Sequence, residues 1–529
     1  MLDYQKASQQ LSVKEKVGQL FMPAAFINDT VDEIQNLEKL IREENIGALC
    51  FFHSRASAAT NYEGKKEVIY NKDSFETLKK LVKRYQKAAK HPLLMAIDAE
   101  WGLAMRIENT PQYPYAITLG ALQDNDDLIF EVGSNIAKDC KAAGIHWNLA
   151  PCVDINNNPN NPVIGYRSFG EDKFEVAKKA IAFVKGIKSE GVLTSIKHFP
   201  GHGDTATDSH LGLPLIDKSK EELIGNELHP FQKLIDEGVD SVMIGHLSVP
   251  ALANGEKISS SVSKDIIKGL LRKEMGFDGV VISDALNMHA VSKNYPTKGE
   301  LEWLAFDAGN DILCFAEHVT EGIETICKNA SEIQIEESFR RVWKLKVQAC
   351  LPARQAQVSS SNSNLRLEKS IELNEKIAQQ SISLLKGARN DISGFLSNSF
   401  VGIKISYPSE NQFFIEIKKT KNFNFFDLEK NEIEYEENIL LALFPPQVKP
   451  TNNFGFSDQE LESINTLIKT KNVLIYLFGN PYMLNQIDVE NAKAVVVAYQ
   501  NFEVFQKIAA THFLGKIKAN GKLPVTIET

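Results

Sequence analysis

A chain of 529 residues exceeds what one hydrophobic core usually holds, so two domains are expected. Hydrophobic residues at 43% and charged residues at 24% are the proportions of a globular protein, which excludes a fibrous, collagen-like or disordered chain. A net charge of -9 supplies no basic surface to displace counterions from a polyanion, so no nucleic-acid partner is expected and a small or neutral one is.

The opening stretch, MLDYQKASQQLSVKEKVGQ, is polar and lacks a basic segment followed by an apolar one. No later run reaches about 18 uninterrupted apolar residues, so membrane insertion is not expected. Eight short apolar runs follow in order: GQLFMPA, GALCFF, LLMAID, HWNLAPCVDI, LTSIKHF, SVMIGHL, GVVISDAL and DILCFA. Most are separated by stretches of helical periodicity, such as SFETLKKLVKRYQKAAK, FEVAKKAIAFVKGIKSEG, KEELIGNELHPFQKLIDEG and SKDIIKGLLRKEMG. Several of these helices close at a glycine with a strand directly behind it, which means parallel strands joined by helical crossovers. Eight strands in about 300 residues fit a closed (β/α)8 barrel of the TIM type better than an open sheet.

The barrel's helical layer finishes with the segment from Thr320 to Cys350, and LPARQAQVSSSNSN then reads as a linker. Boundaries are expected at 1–351 for the barrel, 352–364 for the linker and 365–529 for a smaller α/β domain. That domain opens with a helix, RLEKSIELNEKIAQQS, and continues with strands in SISLLKG, SFVGIKIS, NILLALFP, NVLIYLFG and AKAVVVAYQ. It has no phosphate-binding glycine loop and no cluster of histidines and carboxylates, so a structural or interfacial role is expected. The six cysteines (Cys50, Cys140, Cys152, Cys314, Cys327 and Cys350) are scattered through apolar surroundings without zinc-type spacing. Buried thiols and a cytoplasmic location are expected, the periplasm or a lipoprotein being the alternative if a leader precedes residue 1. No oligomeric state is assigned.

Reactive groups of such barrels collect at the C-terminal ends of the strands. Here those positions hold Asp98, Asp154, Lys197, His198, His246 and Asp284. Any one of them has a bland explanation, a helix cap or a hydrogen-bonded core histidine; so many ionisable groups at one barrel end do not. The stretch KHFPGHGDTATDSHLGLP, Lys197 to Pro214, is punctuated by Pro200, Gly201 and Gly203 as a loop that carries His202, Asp204, Asp208 and His210. A metal site lacks the fixed helical ligand spacing usual for catalytic zinc, so neither metal nor cofactor is expected. In Asp208-Ser209-His210 a carboxylate beside an imidazole instead makes an acid/base tunable near neutral pH.

That loop resembles the signature of glycoside hydrolase family 3, in its exo-β-N-acetylglucosaminidase branch. SDALNM resembles the family's nucleophile segment, and AIDAEWGLAMR and YRSFGED match two further motifs, so the resemblance spans the whole barrel from KVGQLF to AGNDIL. Carried onto this chain, it implies Asp284 as nucleophile, His210 as general acid/base and Asp208 as the partner of His210. It also implies Asp98, Arg106, Arg167, Lys197 and His198 as sugar-binding residues. Ala99, Trp101 and Leu103 depart from the residues common around the second motif, while Asp98 and Arg106 are retained.

The implied activity is retaining hydrolysis of terminal β-linked N-acetylglucosamine from glycosides or peptidoglycan fragments, and the implied partner is a small-molecule or oligosaccharide substrate. A carboxylate below the ring traps the oxocarbenium-like state as a glycosyl-enzyme while an acid protonates the departing oxygen. A histidine is neutral once it has given up its proton, so it repels an incoming anion less than a carboxylate does, and phosphorolysis stands beside hydrolysis as a rival reaction. A β-glucosidase-like exo-glycosidase of the same family and a non-catalytic sugar-binding module are rivals as well.

Overall fold

The computed structural model describes residues 3–53, 70–205, 212–349, 363–405, 411–428 and 436–528. Each of the eight apolar runs in the first part becomes strand. They form β1 (Phe21–Met22) and β2 (Ala24–Phe26), β3 (Ala48–Phe52), β4 (Leu94–Ile97), β5 (Trp147–Asn148), β6 (Leu193–Phe199), β7 (Ser241–Ile244), β8 (Val280–Ser283) and β9 (Leu313–Cys314). β1 and β2 derive from one run split by Pro23, which has no N–H to give to a ladder. The two halves serve different neighbours: β1 pairs with β9 and β2 with β3, both parallel.

From β2 to β8 the strands lie side by side in chain order, every pair parallel. A parallel bridge between Ile282 of β8 and Ile312 carries the pairing on to β9 and so back to β1. The sheet thus curls into the expected eight-membered barrel, and its strands are buried along nearly their whole length because helices cover one face and facing strands the other.

Two helical stretches differ in detail from their periodicity. KEELIGNELHPFQKLIDEG breaks into helices Lys220–Gly225 and Leu228–Asp236. SKDIIKGLLRKEMG winds as a π-helix over Asp265–Glu274, with bonds such as Met275 N–H to the Leu270 carbonyl at 2.9 Å. Its buried residues Ile266, Ile267, Leu270 and Leu271 are spaced by four, which suits either winding, so sequence spacing does not separate the two.

The chain divides into two compact units that are not consecutive blocks. One comprises Met1–Gln112, Phe130–Ile155 and Ala180–Arg366; the other comprises Tyr113–Ile129, Asn156–Lys179 and Leu367–Thr529. The linker expected at 352–364 lies outside the described residues except for its last two positions, where the helix Ser363–Ser381 begins.

The second unit is built on β10 (Ser383–Lys386), β11 (Val401–Ile405), β12 (Phe425–Asp427), β13 (Asn438–Leu443), β14 (Asn472–Leu477) and β15 (Ala494–Val497). Their order is β10-β15-β14-β13-β11-β12, parallel except for β10. Alternate residues feed two cores. Ile403, Leu441, Ile475 and Val495 enter one, which also takes in Ile117 and Ala121. Leu440, Leu474, Tyr476 and Val496 enter the other. The sheet is therefore buried on both faces, as a doubly wound domain requires.

Candidate active site

The expected site residues of the first unit gather at the C-terminal ends of its strands. Asp98 follows β4 directly and is gripped from two sides, by Lys197 Nζ at 2.8 Å and by Arg106 Nη2 at 2.9 Å. Lys197, almost wholly buried within β6, also holds Glu100 at 2.8 Å, so two cations meet two carboxylates. Burial alone would raise the Asp98 pKa, but the charges of Lys197 and Arg106 outweigh it and hold the carboxyl well below the usual carboxylate range. Its main chain is fixed as well. The buried Asn148 side chain at the end of β5 accepts from Ala99 N–H at 3.0 Å and donates to the Ala99 carbonyl at 3.1 Å.

His198, next to Lys197 on β6, is oriented by Asp154. The carboxylate accepts from His198 Nδ1 at 2.8 Å, from the His202 amide at 2.6 Å and from the Cys152 thiol at 3.1 Å. Nδ1 thereby carries a proton toward Asp154, which fixes the orientation of the ring. The loop after β6 passes so close to Ile155 that a Cβ on Gly203 would lie 1.6 Å from its carbonyl oxygen, which is why the loop carries glycine there. Cys152, Asp154 and His198 are also the one group among the described residues whose donor atoms cluster as metal ligands would, within 4.8 Å of one another. Both Asp154 oxygens are already engaged by N–H donors, so this trio is built as a hydrogen-bonded support for His198.

Asp284 follows β8 and is partly exposed. Its Oδ1 accepts from the Ala285 amide at 2.7 Å. Burial pushes its pKa up, yet His246, His198, the Ala285 N–H and Lys197 together draw it below the ordinary value. The carboxylate is therefore ionised at neutral pH. His246 is locked from both nitrogens, with Nδ1 2.8 Å from the Ser261 hydroxyl and Nε2 2.9 Å from the Ala285 carbonyl. The Cys314 thiol, inside the barrel, is pushed well up by its contact with Cys50, by burial and by the carboxylates of Asp284 and Asp98.

A cation-lowered carboxylate has a kinetic consequence. If Asp284 must be ionised, the acidic limb of the pH dependence of kcat/KM lies below the usual carboxylate pKa of about 3.9. His246→Gln removes the largest of the lowering influences on Asp284 and is expected to shift that limb upward. Profiles of wild type and variant that coincide would contradict this.

Arg167 belongs to the second unit, on a single turn over Gly165–Arg167, and donates to the Val163 carbonyl at 3.3 Å. Asp208 and His210 lie outside the described residues. Sequence reasoning missed Glu100 as a partner of Lys197, and Asn148 and Cys152 as supports. Glu100 and Cys152 are visible in hindsight, since each sits two residues from an expected strand-end Asp, Asp98 or Asp154; Asn148 reaches Ala99 across strands that only folding brings together. It also missed the hydrogen-bond contact of His53, which follows β3, with Glu108.

Residues 12–345 match the family model described as the glycosyl hydrolase family 3 N terminal domain. The chain belongs to glycoside hydrolase family 3. The beta-hexosaminidase A of Pseudoalteromonas piscicida is 32% identical over 379 residues, which cover 66% of this chain and 61% of that protein. The beta-hexosaminidase of Tolumonas auensis is 32% identical over 280 residues, 52% of this chain and 77% of that one. The match thus spans about three-fifths of the first relative's length. Among solved structures, a glycoside hydrolase family 3 beta-N-acetylglucosaminidase from Paenibacillus sp. str. FPU-7 superposes with a TM-score of 0.77 at 28% identity, covering 98% of this chain and 99% of that one. A beta-glucoside phosphorylase superposes with a TM-score of 0.82 at 23% identity, a likeness of fold. Among the described residues, no helix is long and apolar enough to cross a membrane.

Proposed function

We propose that this family member is a retaining exo-β-N-acetylglucosaminidase that hydrolyses terminal β-linked N-acetylglucosamine from glycosides or peptidoglycan fragments. The observation that supports the reading is that the Asp284 carboxylate, held by the Ala285 N–H, stands at the same strand ends as the ion cluster of Asp98, Lys197 and Arg106. The relatives named beta-hexosaminidase and the solved beta-N-acetylglucosaminidase supply the choice of sugar. Asp284 attacks the anomeric carbon and forms a glycosyl ester; His210, charged with the help of Asp208, protonates the departing oxygen and then deprotonates the incoming water. Asp98, Arg106, Lys197 and His198 bind the sugar, with the carboxylate accepting from hydroxyls and the cations donating to them. The substrate is a carbohydrate, taken without a cofactor.

Nitrophenyl β-N-acetylglucosaminide and nitrophenyl β-glucoside, each with and without phosphate, test the reading. Preferred release from the first, independent of phosphate, is expected. Preference for the glucoside, or a sugar phosphate as product, would overturn the assignment to a hexosamine hydrolase.

His210→Ala tests the acid. It is expected to slow substrates with poor leaving groups on the order of 10² to 10⁴-fold while sparing the glycosylation step of nitrophenyl glycosides, whose leaving group needs no proton. Equal rates with wild type on both substrate types would remove His210 from that role.

A further inference from the structure

A second kind of surface lies beside the charges at the barrel mouth. On β3 the side chains alternate: Phe51 packs outward, its ring 6.3 Å from that of Tyr85 in the helix Ser74–Ala88. Cys50 and Phe52 take the opposite side. Cys50 meets Cys314 inside the barrel, so Phe52, the last residue of β3, stands one pleat nearer the mouth. Phe315 follows Cys314, and unbroken alternation would turn it outward. Instead it adopts a left-handed φ of 50°, its N–H bound to the Met22 carbonyl at 2.8 Å, and its ring lies 5.2 Å from Phe52. Phe26, at the end of β2, backs both rings at 6.0 and 5.9 Å. Phe26 is buried, but Phe52 and Phe315 are partly exposed. The guanidinium of Arg106 lies over Phe52 at 5.3 Å and reaches Asp98 with Nη2. Aromatic wall and hydroxyl-binding carboxylate are thus joined through one arginine.

We propose that Phe52 and Phe315 form an aromatic wall of the sugar site, against which the C–H face of the terminal sugar packs. The inference rests on the functional reading above and adds the group that recognises the apolar side of the sugar. Each hydroxyl gives up water as it gains an ionic partner, so its net contribution is smaller than the bond itself. The C–H face has no such partner in water. Aromatic rings present a negative face to its weakly positive hydrogens, and water leaves both surfaces when they meet.

Phe315 is the residue to change, since Phe52 also supports Arg106. Phe315→Ala is expected to raise KM for nitrophenyl β-N-acetylglucosaminide by about tenfold, with kcat within about threefold, the pattern of lost ground-state and transition-state binding alike. Phe315→Tyr, which keeps the ring, should restore KM to within about twofold. Should the alanine variant fail to fold by circular dichroism, Phe315→Leu takes its place. An unchanged KM, or a fall in kcat at constant KM with no rescue by tyrosine, would overturn the wall. If wild type turns over neither nitrophenyl sugar, the functional reading fails by itself. The wall is then judged by calorimetric titration with N-acetylglucosamine and with glucose, where equal affinities of wild type and variant for both sugars overturn it.

Discussion

Asp284→Asn is expected to abolish turnover, lowering kcat on the order of 10⁴-fold or more, whereas sugar binding stays within a few-fold of wild type. The amide has nearly the shape of the carboxylate and can keep the 2.7 Å bond from the Ala285 N–H, so the mouth is not rebuilt. What it loses is the negative charge that stabilises the oxocarbenium-like state and the oxygen that captures it. Leaving-group chemistry does not help: a nitrophenyl glycoside needs no acid but still needs the nucleophile. The variant should therefore fail on activated and unactivated substrates alike, unlike His210→Ala. Steady-state rates on both substrates, with product binding measured by calorimetry, check this. Activity within about tenfold of wild type would remove Asp284 from the nucleophile's role, and with it the retaining mechanism.

Asp98→Ala is expected to damage both binding and stability. Asp98 completes an arrangement of two cations and two carboxylates in which Lys197 is only 3% exposed at its side chain. Its removal takes one of the two carboxylates from Lys197 and strips Arg106 Nη2 of the carboxylate it reaches. Breaking a buried pair from one side typically costs about 3–5 kcal/mol, most of it the stranded charge. Chemical denaturation of the barrel should show a loss of that size, and kcat/KM should fall by at least about a hundredfold.

The pH dependence has a defined sign. The folded pKa of Asp98 is depressed, so its stabilisation is complete above the unfolded value of about 3.9 and is lost as pH falls through the lower folded value. The stability gap between wild type and variant should accordingly narrow only in strongly acidic solution. A gap that is constant down to that range would mean that the ion cluster is not what Asp98 contributes.

Much of the architecture is legible before folding because a strand buried on both faces must be apolar along its length. GVVIS and LLMAI could not be anything polar and remain inside a barrel, and both became strands, β8 and β4. β12 escaped notice for the converse reason. It is a three-residue edge strand with Phe425 and Phe426 only half-buried and Asp427 exposed, and an edge needs neither length nor a fully apolar pattern. The division into units escaped as well. Tyr113–Ile129 and Asn156–Lys179 are excursions of the first part that count with the second unit, and Ile117 and Ala121 bury themselves in its core. Nothing in their composition says which core receives them, because apolar residues suit either.

By itself the sequence determined the strand and crossover pattern, the family signature and the identity of the strand-end ionisable groups, because each of these is a matter of local order along the chain. Only the tertiary structure decided how those groups are charged and aimed. The Asp98 to Lys197 bond joins residues 99 positions apart, the Asp154 to His198 bond joins residues 44 apart, and the Phe52 and Phe315 rings meet across about half the chain. A carboxylate's pKa and an imidazole's tautomer are set by what stands within a few ångströms of them, and only closing the barrel brings such neighbours together.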